Sequence, residues 1–195
     1  MISYKNLLSK VSFPKISQLH VSKHFEQLDE DFAPLLSRSQ QDRNNRYKGS
    51  KFNAHFATHP LQLIDRIIAS GTIVRFENVK YSKLEMEVRF SQSNFPSGIG
   101  WDSIIPITEI PTGVKQHLKK ETRESSSVLV YESKEKVTTH ILVLILHRHN
   151  NQWEVTTCFP GVFAPSLPHS FFKTNQLRAE ATQFWKEHAF MRYQG

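Results

Sequence analysis

Two apolar segments on either side of Asn150-Asn151 constrain the fold of this chain more than any other feature of its 195 residues. The first contains the run Ile-Leu-Val-Leu-Ile-Leu at 141–146, and the second reads Trp-Glu-Val-Thr-Thr-Cys-Phe at 153–159. Asparagine tolerates the positive φ of a two-residue hairpin turn, so the pattern predicts an antiparallel hairpin at the centre of a sheet. The turn sets the register, which places His147 opposite Glu154 and Leu144 opposite Thr157.

Both faces of this hairpin are apolar near its middle, so each face needs cover from another element. The alternation of side chains assigns Leu142, Leu144, Leu146, Val155 and Phe159 to one face, and Ile141, Val143, Ile145, Thr156 and Cys158 to the other.

Two helices are predicted to provide this cover. Residues 60–70 form the first, which Thr58 or His59 caps and which ends at Gly71. Residues 175–190 form the second, near the C-terminus. The apolar stripes are Leu61, Ile64, Ile67 and Ile68 in the first helix, and Leu177, Ala181, Phe184, Trp185 and His188 in the second.

Strand patterns at 72–76, 84–90 and 103–107 alternate with a period of two and are rich in β-branched residues. Together with the helices they predict an α+β fold. We expect a twisted, mainly antiparallel sheet of about four to six strands packed against the helix at 60–70.

The first fifty residues differ from the rest in pattern. Apolar positions from Val21 to Leu36 recur at three- and four-residue steps and predict an amphipathic helix that starts after Ser22, while the polar segment 37–50 is typical of a loop. We therefore divide the chain into an N-terminal helical extension with a polar basic loop, 1–50, and an α+β core domain, 51–195.

Charge and composition narrow the function classes. The 25 Lys and Arg outnumber the 18 Asp and Glu, and the net charge of +7 favours RNA or another nucleic acid as partner. The single Cys158 excludes an intramolecular disulfide and a CxxC site. No apolar run can cross a membrane and no signal peptide is visible, so a cytoplasmic location is the default expectation, with specialised secretion left open.

A basic cluster lies in the polar segment that follows residue 36. Arg43, Arg46, Lys48 and Lys51 are interleaved with the aromatic residues Tyr47 and Phe52. Such a cluster can hold a phosphate backbone while an aromatic ring stacks on a base, although a solvated loop has the same composition.

Two groups of residues could support catalysis. His55 and His59 are four residues apart but lack an evident third metal ligand, so we expect neither a metal nor another cofactor, and His59 can simply cap the helix. At the hairpin end, Arg148 could bind phosphate while Glu154 holds a histidine, or the same residues could form an ordinary solvated tip.

The segments HFATHPLQLIDRIIASG and WEVTTCFPG, joined by short antiparallel strands, resemble the barnase/EndoU/colicin/RelE-like superfamily of ribonuclease toxins over about residues 51–168. The resemblance implies metal-independent cleavage of RNA by attack of the ribose 2′-hydroxyl on the adjacent phosphate. It implies that His55 or His59 is the acid or base, that Thr156 or Thr157 donates to phosphate, and that Arg148 or Lys51 balances its charge.

Two other function classes remain open. The chain can be a noncatalytic nucleic-acid-binding module with structural histidines, in which the basic cluster provides the affinity. It can also be a protein-interaction domain that meets a partner or an inhibitor through the proline-rich segment 160–170. Neither the oligomeric state nor the existence of catalysis follows from the sequence.

Overall fold

Helices and strands are described by a computed structural model for residues 4–80, 82–120, 127–168 and 173–193. The helices are α1 (Tyr4–Leu8), α2 (Lys15–Val21), α3 (Arg38–Arg46), α4 (Gln62–Ser70) and α5 (Asn175–Glu187). The strands are β1 (Lys51–Phe52), β2 (Thr72–Lys80), β3 (Lys83–Arg89), β4 (Gly100–Trp101), β5 (Ile104–Pro106), β6 (Lys115–Lys120), β7 (Ser127–Ser133), β8 (Thr138–Thr139), β9 (Ile141–His149), β10 (Gln152–Pro160) and β11 (His188–Tyr193). The α+β class is confirmed.

The central sheet has the antiparallel order β10-β9-β3-β2, and the predicted hairpin forms two of its strands. Asn150 and Asn151 have φ values of 46° and 66°, as the turn requires. The predicted register holds from Gln152 to Val155, so Glu154 lies opposite His147.

The predicted hairpin register is wrong beyond Val155, because a β-bulge at Thr156 shifts the pairing by one residue. Beyond it Thr157 lies opposite Ile145, and Cys158, not Thr157, lies opposite Leu144. One inserted residue reverses the direction of every later side chain. Cys158 therefore joins the core face of the sheet and Phe159 lies on the other face, the reverse of the prediction.

The strands outside the central sheet form two further sheets, ordered β5-β11-β7-β6 and β1-β4-β8. Strand β11 lies between β5, to which it is antiparallel, and β7, to which it is parallel. Residues 188–190 were predicted to continue the C-terminal helix and are instead strand, because Ala189, Met191 and Tyr193 alternate into the interior. Residues 121–126, part of a predicted loop or strand, lie outside the described residues.

The main core lies between the central sheet and α4, which the sequence predicted to pack there. Leu63 and Ile67 of α4 are fully buried, whereas Leu61 is half exposed because the helix begins one residue later. Gly71 ends the helix in an extended conformation, and a Cβ there would lie 2.5 Å from Val88 Cγ1. This glycine therefore permits close packing of the helix on the sheet.

The N-terminal fifty residues differ from the predicted helix and loop. Residues 22–36 contain only short 3₁₀ turns at Ser22–His24 and Ala33–Leu35, and the polar segment contains helix α3. Leu8, Val21 and Phe25 belong to the same core as the central sheet, and the backbone of Ser12 bonds to the β10 edge at Trp153 and Val155.

The second face of the central sheet is covered by the segment after β10. The Phe163 N–H donates to Glu87 Oε1 at 2.9 Å, and the Arg75 guanidinium lies 5.2 Å from the Phe163 ring. Trp185 of α5 donates to the Pro165 carbonyl at 3.0 Å. The predicted proline-rich loop is thus fixed at both sides up to residue 168, and residues 169–170 lie outside the described ones.

Candidate anion-binding face

Helix α3 has no buried residue, which is unusual for a helix packed on a protein. Ser37 caps it: the Ser37 hydroxyl accepts the Gln40 N–H and the Gln40 side chain accepts the Ser37 N–H. Two amide side chains attach one side to the protein, since Asn44 donates to Ser22 Oγ at 2.9 Å and Gln41 to the Leu36 carbonyl at 3.1 Å. The helix is therefore held by polar contacts.

The exposed side of α3 carries the predicted basic cluster. Arg43, Arg46 and Lys48 are exposed, and within the described part of the chain no ion pair joins any of them to a carboxylate. Lys51 is half buried and donates to the Asn44 carbonyl at 3.3 Å; burial lowers its pKa. Lys51 is thus positioned by a backbone carbonyl, and the exposed charges of Arg43, Arg46 and Lys48 are accessible to an anionic ligand.

Three of the cavities that border α3 and the segment that follows it have at least two Lys or Arg side chains in their lining. The first, the β11 cavity, has a volume of about 390 Å³ and is lined by Arg46, Tyr47, Lys48, Gly49, Ser103, Val128, Val130, Leu167, Phe190, Met191 and Arg192. The second, the Trp101 cavity, also measures about 390 Å³ and is lined by Glu26, Asn45, Tyr47, Lys48, Gly49, Lys51, Trp101, Lys136 and Tyr193. The third, the α2–α3 cleft, measures about 250 Å³ and is lined by Ile16, Leu19, His20, Lys23, Gln40, Arg43 and Asn44.

We call the combined lining of these cavities the basic face. Glu26 is its one carboxylate among the residues that the structure describes, and that group is paired with Lys136 Nζ at 3.1 Å. In the α2–α3 cleft, burial and then the cations of Lys23 and Arg43 lower the pKa of His20. Like charges held this close together favour an anionic partner.

Tyr47 lines both the β11 cavity and the Trp101 cavity and separates them. Its ring is therefore not free to stack on a base as the sequence analysis expected. Its ring meets His24 edge to face at 5.0 Å between centroids, and Lys23 Nζ lies 5.4 Å from its centroid. A Cβ on Gly49 would lie 2.2 Å from the Tyr47 hydroxyl, so glycine at 49 allows the ring to fold back. Burial raises the pKa of Tyr47.

His24 packs against the Tyr47 ring, and no motif in the sequence marked it as a candidate site residue. It is buried, its Nδ1 bonds to the Ser50 carbonyl at 2.9 Å, and its ring packs on Phe159 at 5.7 Å. Burial lowers its pKa to about 3, so the imidazole is neutral. His24 therefore supports Tyr47 and Ser50 as an uncharged packing residue.

Asp102 is a second buried group that no motif revealed. Its Oδ1 accepts the Ile104 N–H at 2.9 Å and its Oδ2 accepts the Val162 N–H at 3.0 Å. Burial raises its pKa to about 7 in spite of these donors. Asp102 connects the turn before β5 to the turn after β10, and it lies directly behind Ser103 of the β11 cavity.

The catalytic candidates at the hairpin end lie on β9 and β10. Thr156 occupies the bulge, and its Oγ1 forms a 2.6 Å hydrogen bond with His147 Nδ1. A hydroxyl, and not the Glu154 carboxylate, is therefore the hydrogen-bond partner of His147. Arg148 is exposed, but it follows His147 directly in β9, so its side chain points to the opposite face of the sheet. Thr157 is half buried.

His55 and His59 lie elsewhere. The His55 ring is exposed and its Nε2 bonds to the Gly98 carbonyl at 3.1 Å. His59 Nδ1 accepts the Leu61 N–H at 3.1 Å, next to the first turn of α4, and its ring meets Phe32 at 4.9 Å. The predicted helix cap is wrong: α4 has Leu61 at its N-cap position and no side-chain cap hydrogen bond, so neither Thr58 nor His59 caps it.

The fold does not bring the two groups of catalytic candidates together, one formed by His55 and His59 and the other by Arg148 and Thr156 at the hairpin end. The Gly98–Ile99 turn that holds His55 bonds to Thr139, just before β9 begins, and Arg148 lies near the far end of β9. From Ile141 to Arg148 an extended strand covers about 23 Å. His55 therefore cannot reach a phosphate held by Arg148 or Thr156.

Comparison of the chain with models of protein families, with curated proteins and with solved structures finds no match. The resemblance to ribonuclease toxins stays a prediction. Among the described residues, no helix combines the length and the apolar character needed to span a membrane.

Proposed function

We propose that the protein binds RNA through the basic face. The observation that carries this proposal is that Arg43, Arg46 and Lys48, on and beside α3, are exposed, and that no carboxylate of the described residues forms an ion pair with them. Phosphates of a nucleic-acid backbone provide the complementary charge, and cavities between the cations leave room for sugars and bases. The noncatalytic alternative of the sequence analysis is thus the function that the geometry favours.

Neutralisation of the exposed cations tests this proposal. The triple variant Arg43→Gln/Arg46→Gln/Lys48→Gln is expected to weaken binding of a short fluorescent RNA at least about tenfold in an anisotropy titration, because three phosphate contacts are lost. The matched control Lys5→Gln/Arg178→Gln/Lys186→Gln removes the same charge from exposed residues outside the basic face. Equal loss in both variants, or no RNA binding by the unmodified protein, contradicts the proposal.

A second candidate function is metal-independent RNA cleavage at the hairpin end. The hydrogen bond between His147 and Thr156 favours it, since it places an imidazole beside a hydroxyl, and both residues are exposed. In that reaction His147 takes the ribose 2′ proton, the O2′–P bond forms as the P–O5′ bond breaks, and the leaving oxygen takes a proton from water or a second acid. Arg148 follows His147 directly in β9 and points to the other face of the sheet, so it takes no part in this site.

Incubation with total RNA in excess EDTA tests this candidate. Cleavage that His147→Ala abolishes, with unchanged melting temperature and unchanged RNA affinity, supports it. The double variant His55→Ala/His59→Ala is the comparison: if this variant alone abolishes cleavage, the site lies beside α4 as first predicted. Intact RNA with all three proteins rejects catalysis and leaves RNA binding standing.

A further inference from the structure

The β11 cavity differs from the rest of the basic face because most of its wall is apolar. Val128 and Val130 of β7 lie on one side of that strand, and Phe190 lies opposite Val130 in the parallel pair with β11. Leu167, from the segment that crosses the second face of the sheet, closes the wall. The cavity thus has an apolar wall next to a cationic one, and Phe190 and Leu167 form the more accessible part of that wall because Val128 and Val130 are almost fully buried.

Among the residues that the structure describes, three cations and no carboxylate line the same cavity. Arg46 is the last residue of α3 and Lys48 follows two residues later, while Arg192 projects from β11. Arg192 lies opposite Glu132 in the register, but the Glu132 side chain is not part of the lining. Arg46 is oriented by a bond from its Nε to the Asp42 carbonyl at 3.1 Å, which leaves its terminal nitrogens for a ligand.

We propose that the β11 cavity binds one unstacked nucleotide, with its base against the apolar wall and its phosphate at Arg46 and Lys48. A volume of about 390 Å³ is in the range of small-molecule sites, and the pairing of an apolar wall with a cationic rim matches a planar base joined to a phosphate. A base held there must be free of a partner strand. The inference rests on the proposed RNA binding and deepens it, since it predicts preference for single strands.

The experiment is a titration of the full chain with adenosine monophosphate, followed by calorimetry or amide chemical shifts. Adenosine and inorganic phosphate, each carrying half of the recognised chemistry, are expected to bind at least about tenfold more weakly than the nucleotide. Equal binding of phosphate and nucleotide overturns the proposal, because the apolar wall would then contribute nothing.

Leu167→Trp fills the cavity from an irregular segment, where the larger side chain does not interrupt a strand. This variant is expected to weaken nucleotide binding by at least about tenfold. It should also weaken the binding of single-stranded RNA, while the affinity for duplex RNA stays unchanged. Leu35→Trp, at a half-exposed residue outside the cavity, is the control and should change neither. Nucleotide binding that survives Leu167→Trp overturns the proposal.

The two proposals fail in different ways. If the protein binds single-stranded and duplex RNA equally with strong salt dependence but does not bind the mononucleotide, the cavity proposal falls and RNA binding stands. If neither RNA form binds, the proposed function falls, and mononucleotide binding that Leu167→Trp removes would still support the cavity as a site for a free nucleotide.

Discussion

At the scale of single residues, Gly161 and Asp102 bring two distant parts of the chain into close contact. Gly161 has a φ of 120°, and a Cβ there would lie 2.3 Å from Asp102 Oδ1. Only glycine fits, because a side chain would both strain the backbone and displace the carboxylate that accepts the Val162 N–H.

Gly161→Ala is therefore expected to lower the free energy of unfolding by about 3 kcal/mol. Gly113→Ala is the matched control: its φ is 80°, but a Cβ there meets nothing within 4 Å, so only the cost of backbone strain, about 1 kcal/mol, should appear. Urea denaturation of both variants measures the difference. Equal losses would mean that the contact with Asp102 contributes nothing.

His24 and Asp102 have opposite effects on the pH dependence of stability. His24 has a folded pKa of about 3 against an ordinary value of 6.5, so the unfolded chain binds more protons between these values and stability falls as pH is lowered. Asp102 has a folded pKa of about 7 against 3.8, so the folded chain binds more protons and stability falls as pH is raised through this window. Between about pH 4 and 6.5 the two effects oppose each other.

A variant that removes one group should reveal the effect of that group, as the difference in stability from the unmodified protein. Relative to the unmodified protein, Asp102→Asn is expected to gain stability as pH rises from 4 to 7, and His24→Phe to lose it as pH rises from 3 to 6.5. The slope of each difference approaches about 1.4 kcal/mol per pH unit, the value for one proton. Chemical denaturation over this pH range tests both, and parallel profiles for all three proteins would refute the assignment.

At the scale of elements, the stability of helix α3 depends on its N-terminal cap more than on packing against the core. Ser37→Ala removes the hydroxyl that accepts the Gln40 N–H, and an N-cap loss costs about 1 kcal/mol. Because no residue of α3 is buried, we expect faster amide exchange in 41–46 with little change in the melting temperature. Thr174→Ala, at the cap of α5, is the comparison and should leave exchange in α3 unchanged.

Some features of these elements could be predicted from the sequence, and others could not. Asn150-Asn151 predicted its turn because the requirement for positive φ is local. The bulge at Thr156 was not predictable, since it depends on how the side chains of two strands meet. Helix α3 was missed because its residues lack apolar periodicity, although Ser37 and Gln40 carry the capping-box spacing that marks a helix start.

Only those residues of the candidate site that lie close together in the sequence could be predicted. Arg43, Arg46, Tyr47, Lys48 and Lys51 were selected as a cluster, and all of them line the cavities of the basic face. Lys136 and Arg192 come from distant segments, and only the pairing of the sheets brings them to the same face. For the same reason the sequence could not show that β9 separates His55 from Arg148.

At the scale of the whole molecule, the basic face predicts how RNA binding responds to salt. For single strands the slope of log K against log salt concentration is about −0.7 per phosphate contact. Loss of Arg43, Arg46 and Lys48 should therefore reduce the magnitude of the slope by about 2. The control Lys5→Gln/Arg178→Gln/Lys186→Gln should leave the slope as it is in a titration series at several salt concentrations, and an equal reduction would indicate only a diffuse charge effect.

The position of β11 between β5 and β7 also orders the events of folding. The central sheet and its covering helix are built from residues 62–160, so their strands can pair without the last strand of the chain. Strands β5 and β7 are not neighbours in their sheet, and β11 joins them by pairing with both. The β11 cavity, which Phe190, Met191 and Arg192 line, therefore cannot form before β11 docks between these two strands.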